Sequence, residues 1–196
     1  MSENIKIESH PFPPFLPEGA KVLMLGTFPP KPNRWCVEFF YPNPTNDMWK
    51  IMGLIFYRDK FRFYDPEAKI YRLPELKQFL SEQKIALYDT ATRVRRLKDN
   101  ASDKFLEIVE TINLDSFFEQ RPSLRAIVTA GEKATGVIAE MAGVDAPKTG
   151  ESVSCNYHGH AFTLFRMPSS SRAYPLALEK KADAYRAMFL SIGYEM

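Results

Sequence analysis

Four short stretches of this chain concentrate side chains able to do polar chemistry. They are Gly26-Thr27-Phe28-Pro29-Pro30; FYPNPTNDMW, Phe40–Trp49; Asp89-Thr90-Ala91-Thr92 with Arg93, Arg95, Arg96 and Lys98 behind it; and MPSSSR, Met167–Arg172. Between them they offer an aromatic ring (Tyr41), an amide (Asn46), a carboxylate (Asp89) and small hydroxyls beside a guanidinium (Arg172). An amide donates and accepts, an ionised carboxylate only accepts, and a guanidinium only donates. Such groups can hold a water, accept from an N–H edge and grip a phosphate.

Familiar catalytic signatures are missing around them. Gly131-Glu-Lys-Ala-Thr-Gly136 has the glycine spacing of a phosphate loop, but Val137-Ile138 stands where Lys-Ser/Thr is needed. After Gly26 come no further glycines of a dinucleotide fingerprint. Ser169-Ser170-Ser171 lacks the flanking glycines of a nucleophile elbow. Two cysteines, Cys36 and Cys155, cannot build a four-cysteine cluster, and unpaired thiols fit a reducing compartment. His158-Gly159-His160 would put both rings on one face of a strand, with only Cys155 at ligand spacing. A polar hairpin tip is the better reading, so neither metal nor cofactor is expected.

The elements that must position these groups are readable from apolar patterning. Lys21–Thr27, Ile85–Thr90, Ala126–Gly131 and Ala161–Pro168 are short and nearly continuous in apolar residues, as strands covered on both faces are. Helical periodicity predicts helices over Asn46–Tyr57, Leu73–Gln83, Ser102–Ile112 (with Ser102 as N-cap), Glu132–Met141 and Leu178–Ile192. Alternation of strand and helix predicts a parallel sheet with helices on both faces, whose ligands lie beyond the carboxyl ends of the strands. The four polar stretches follow predicted strands and so fall at that edge.

The chain has 196 residues, 45% hydrophobic and 26% charged, which excludes disorder and fits a single domain over 1–196. Residues 1–19, with the proline-stiffened HPFPPFLP, read as an extended arm along the surface. No apolar run approaches the roughly 18 residues a membrane span needs. The first residues lack a secretory pattern, so a cytoplasmic monomer is expected. Lys and Arg number 26 against 24 Asp and Glu, a formal charge of +2, which excludes a globally basic coat. Nucleic-acid binding would need a local patch. Arg93, Arg95, Arg96, Lys98 and Arg172 are expected at the binding edge, with Glu107, Glu110, Glu140 and Glu179 on helices away from it.

In order and placement, these motifs resemble the uracil-DNA glycosylase superfamily, nearest its mismatch-specific uracil and hypoxanthine-DNA glycosylase branch. The carriers are a Gly-x-x-Pro turn after the first strand (Gly26–Pro29), the aromatic stretch Phe40–Trp49 opening a helix, and the Pro-Ser turn Met167–Arg172 after the last strand. Three positions depart from the common pattern. Phe28 stands where many members carry a water-activating Asp or Asn, Asn43 where the stretch has His, and Met167 where the second motif starts with His or Asn. Hypoxanthine-type relatives tolerate apolar residues at the first and third of these and use the Asn ending the aromatic stretch, here Asn46.

The resemblance implies an α/β fold, a three-layer α/β/α sandwich around a four-stranded parallel sheet of order 2-1-3-4. It implies hydrolysis of the N-glycosidic bond of uracil or hypoxanthine in DNA, in base-excision repair, without cofactor or metal. Asn46 would be catalytic. Gly26, Thr27, Phe28, Pro29, Tyr41 and Asp89 would bind the flipped base, and Ser169, Ser170, Ser171, Arg172, Arg93 and Arg95 the DNA backbone. Plainer readings stand beside these. Tyr41 is a stacking platform or a packed loop aromatic; Asn46 is catalytic or a helix cap; Asp89 reads a base or ties loops together. The arginine run is a DNA patch or a solvated face, and the serine turn grips phosphate or merely leads into the last helix. The rival functions are a non-catalytic binder of damaged nucleic acid and a small-molecule nucleosidase.

Overall fold

The computed structural model describes residues 5–98 and 103–196. Its central sheet is built from β2 (Val22–Gly26), β5 (Ile85–Asp89), β8 (Ala126–Ala130), β9 (Ser152–Tyr157) and β10 (His160–Met167), in the order β5-β2-β8-β10-β9. Every residue of β2 and β5 is buried, which is why their sequences run apolar without alternation. The β5/β2, β2/β8 and β8/β10 pairings are parallel.

The sheet has five strands and is mixed, where a four-stranded parallel sheet was expected. β9 pairs antiparallel to β10 as a hairpin edge, turning through His158 and Gly159, both at positive φ. Its polar residues Ser152, Ser154 and Asn156 are exposed and Cys155 is buried, a half-covered strand that a search for continuous apolar runs passes over. The helices are α1 (Met48–Tyr57), α2 (Leu73–Glu82), α3 (Leu114–Gln120), α4 (Glu132–Ala142) and α5 (Leu178–Ser191). α1 packs on α5, α4 on β8, β9 and β10, and α2 on β5. α3 was not anticipated; Asn113 caps it, its side chain accepting from the amides of Asp115 and Ser116.

A second sheet corrects two expectations. The predicted helix Ser102–Ile112 is a short 3-10 turn, Asp103–Phe105, followed by strand β7 (Leu106–Thr111); Ser102 itself lies outside the described residues. Leu106 and Ile108 pack in a small cluster with Ala91, Val94 and Phe28, so their spacing of two is a strand period. The arginine run is likewise a strand, β6 (Ala91–Arg96), paired with β7 on one side and β1 (Ile7–Ser9) on the other. The remaining strands, β3 (Tyr64–Asp65) and β4 (Ile70–Tyr71), form a small hairpin.

The N-terminal arm is extended but is part of the fold. Beyond β1, the backbones of Phe15 and Leu87 exchange hydrogen bonds at 3.0 and 2.9 Å. Phe12, Phe15 and Leu16 pack on the core.

Candidate functional site

The carboxyl ends of the parallel strands open into a cleft of about 580 Å³. It collects the loop after β2, the Tyr41–Asn46 segment, Asp89 at the end of β5, Asp103, and the turn after β10. Gly26, Thr27, Phe28, Pro29, Tyr41, Asn46, Asp89, Ser169, Ser170, Ser171 and Arg172 all line it. Residues far apart in sequence thus share one cavity of ligand size.

Asp89 is held from two sides. A Cβ on Gly26 would lie 2.5 Å from Asp89 Oδ1, so only glycine lets the carboxylate lie against the β2 backbone. Asp89 Oδ2 is 2.9 Å from His10 Nε2, and the His10 side chain is only 2% exposed. The rings of Tyr88, Phe28, Phe12 and Phe40 surround His10 at centroid distances of 4.6 to 6.0 Å. Nδ1 lies 2.9 Å from Phe12 O and 3.1 Å from the Phe12 amide, and Nε2–H donates to the Asp89 carboxylate.

A second carboxylate, Asp103, lines the same cleft. Its Oδ2 accepts from Thr27 Oγ1 at 2.7 Å. Burial raises its pKa above the ordinary Asp value and the charge of Asp89 adds to this, while the Thr27 hydrogen bond and Lys133 oppose. Sequence reading missed both His10 and Asp103. His10 gave no signal beyond the prolines that follow it, and Asp103 fell in a segment read as a helix.

Tyr41 has φ +50°, a left-handed conformation that is uncommon without glycine. Its ring meets Trp49 edge-on at 5.8 Å, and its hydroxyl is buried with no hydrogen-bond partner among the described residues. Burial, with the nearby Tyr185, Asp89 and Asp103, raises the phenol's pKa well above 10, so it stays a donor. Asn46 turns its side chain toward the helix, Oδ1 accepting from the Met48 amide at 2.9 Å. A carbonyl oxygen has two lone pairs, so one acceptor position remains.

The first turn of α1 is tied to the serine turn. Asn46 bridges Ser171, and the Asp47 amide donates to Ser170 O at 2.8 Å. Lys181, 1% exposed, donates to Asp47 Oδ2 at 2.9 Å and to Ser171 O at 2.8 Å. Ser169 Oγ accepts from the Ser171 amide and Tyr185 Oη donates to Pro168 O. Ser170 is buried, whereas Ser171 and Arg172 are exposed.

Arg93 and Arg95 are not brought to the cleft. They lie on β6 and pair across to β7, Arg93 with Glu110 at 3.5 Å and Arg95 with Glu107 at 2.8 Å. Arg96 is buried, donating to Glu8 and to Pro29 O. Glu107 and Glu110 therefore sit beside the arginines and not on a remote helix, which removes the expected charge separation on this sheet. At the hairpin tip, His158 pairs with Asp115 while His160 stacks on Phe118. Among the described residues no cluster of His, Cys, Asp or Glu is placed to hold a metal ion, and no helix is long and apolar enough to cross a membrane.

No family model matches the chain, and no curated protein matches it. Among solved structures the fold is similar to a solution NMR structure from Methanosarcina acetivorans, described as a "putative Uracil DNA glycosylase". The TM-score is 0.64, with 21% identity over 96% of this chain and 100% of the other.

Proposed function

We propose that this protein is a monofunctional DNA glycosylase, hydrolysing the N-glycosidic bond of a deaminated base, uracil or hypoxanthine, flipped out of DNA. The observation that carries the reading is the meeting of Tyr41, Asn46, Asp89 and Ser170 in one cleft at the carboxyl edge of the sheet. The description of the similar solved structure supports it.

In this reading the base leaves the stack and enters the cleft, which exchanges a few kcal/mol of unstacking for contacts inside. Asp89, fixed by His10, accepts from N3–H of uracil or N1–H of hypoxanthine and disfavours an edge that presents only acceptors. The unpartnered Tyr41 hydroxyl donates to the oxygen on which charge develops as the base departs as an anion. The Met48 amide fixes the Asn46 side chain, and the free lone pair of Asn46 Oδ1 orients a water toward the sugar. Water oxygen bonds to the anomeric carbon, the glycosidic electron pair leaves with the base, and Asp103 accepts the water's proton. The raised pKa of Asp103 suits it to take that proton. Among the described residues no lysine lines the cleft, which supports hydrolysis over a route through a covalent imine. The serine turn and Arg172 bind the backbone.

The test is to incubate the protein with single- and double-stranded DNA carrying uracil, hypoxanthine or xanthine and then cleave abasic sites with alkali. Cleavage at uracil or hypoxanthine is expected, with Asn46→Ala slowing it about 100-fold or more. Absence of product on every substrate at low salt overturns the reading. Damaged-DNA binding without turnover would leave a binding protein, and cleavage of free nucleosides alone would leave a nucleosidase.

A further inference from the structure

Next to the cleft lies a second pocket, of about 430 Å³, and Arg172 lines both. Lys50, Lys60 and Arg172 face this pocket, with Asp47 as its one acid among the described residues. Asp47 is already engaged, since Oδ2 accepts from Lys181 and Oδ1 lies 3.6 Å from Lys50 Nζ. Neither Lys60 nor Arg172 has an acidic partner among the described residues, unlike Arg93 and Arg95. Lys50 is 12% exposed in its side chain and donates to Pro44 O. Burial, then the charge of Arg172, lowers its pKa, with Lys60 adding and Asp47 opposing. Three cations that repel one another across one pocket gain from an anion between them.

The side of the pocket formed by Lys60 and Phe61 is rigidly built. α1 ends at Arg58 in the left-handed region, and the Asp59 amide returns to Gly53 O at 3.2 Å. A side chain on Gly53 would collide with the Asp59 carbonyl, so this turn requires glycine. Asp59 Oδ1 then accepts from the Phe61 amide at 2.8 Å. The result presents Lys60 beside Phe61, a ring 42% exposed with the ammonium 5.2 Å from its centroid. An exposed aromatic interleaved with cations is the make-up of a surface that follows a nucleic-acid strand.

We propose that this pocket is a backbone-phosphate subsite. Lys50, Lys60 and Arg172 bind a phosphate of the DNA strand flanking the nucleotide in the cleft, and Phe61 packs on the adjoining nucleotide. The subsite rests on the glycosylase reading for the identity of its strand. It places the strand along α1 and the serine turn, away from the β6–β7 sheet.

The experiment measures Kd for a short labelled duplex with one abasic-site analogue over a range of potassium chloride concentrations. Wild type is compared with Lys60→Gln/Arg172→Gln and with Arg93→Gln/Arg95→Gln. Lys60 and Arg172 are exposed, and thermal melts check that each variant is folded. Losing one phosphate contact lowers the slope of log Kd against log salt by about 0.9. That loss is expected for Lys60→Gln/Arg172→Gln, with weaker binding, and not for Arg93→Gln/Arg95→Gln. A wild-type slope in the first variant overturns the subsite, and if wild type still excises bases, the glycosylase reading survives alone. A reduced slope in a protein that excises nothing upholds the subsite and removes the chemistry. No DNA binding at any salt overturns both. Inorganic phosphate titrated at constant ionic strength is expected to compete only weakly; tight binding of it would reassign the pocket to a free anion and overturn the strand path.

Discussion

Asp89 and Asp103 are two carboxylates in one cleft whose surroundings divide their tasks. Asp89 has a fixed imidazole donor and suits the role of an acceptor. Asp103 has the Thr27 hydroxyl and a buried setting that raises its pKa, so it suits proton uptake. That setting has a stability consequence. A raised native pKa means the folded state binds the proton more tightly than the unfolded chain, where Asp titrates near 3.9. The contribution of Asp103 to stability is therefore full below the unfolded pKa and is lost as pH rises through the native one. Above the native pKa its charge is buried at a cost. Asp103→Asn keeps an acceptor for Thr27 without the charge. It is expected to raise Tm at pH 7, with the gain shrinking as pH falls toward about 4, and to slow excision. Thermal melts at the two pH values, with single-turnover rates, check this. A variant equally destabilised at both would remove the argument.

At the scale of elements, α1, α5 and the turn after β10 are locked together by the buried Lys181–Asp47 pair. Removing one partner of a buried ion pair leaves the other uncompensated and costs roughly 3–5 kcal/mol. Lys50 stays near Asp47, so Lys181→Met is expected at the low end, about 3 kcal/mol. Its Tm falls, and excision falls further because Ser171 O loses its lysine donor. Asp47→Asn/Lys181→Met should recover much of the Tm; an unchanged Tm in Lys181→Met refutes the coupling. The sequence signals for these elements were uneven, for physical reasons. β2, β5 and β8 are covered on both faces and announce themselves as apolar runs, and the amphipathic helices came within a few residues at their ends. β7 was misread because Phe105, Ile108, Val109 and Ile112 also satisfy a helical period, and only pairing with β6 decides between them. Most of the cleft residues were legible because each follows a buried strand. Asp103 was not, because its place in the cleft depends on the misread segment.

For the molecule as a whole, the net charge of +2 says little about binding, because many charges are spent on one another. What braces Asp89 is the N-terminal arm, stitched on by β1, by Phe15 against Leu87, and by His10 reaching the carboxylate. His10 therefore fills an aromatic box and also supplies a donor. His10→Ala removes both and should cost about 2–4 kcal/mol through the cavity and the lost hydrogen bond. At roughly 2–4 °C per kcal/mol for a chain this size, Tm should drop by several degrees. His10→Phe separates the two roles, because a phenyl ring can refill the box between Phe28 and Tyr88 but cannot donate to Asp89. It is expected to restore most of the Tm while excision stays low, with the defect in KM and in the preference for an N–H base edge. Equal recovery of Tm and excision in His10→Phe would show that the arm only packs. Failure to recover either would show that the ring's shape matters beyond its volume. Recovery of stability alone makes a residue of the arm, far from Asp89 in sequence, a positioning residue for the base.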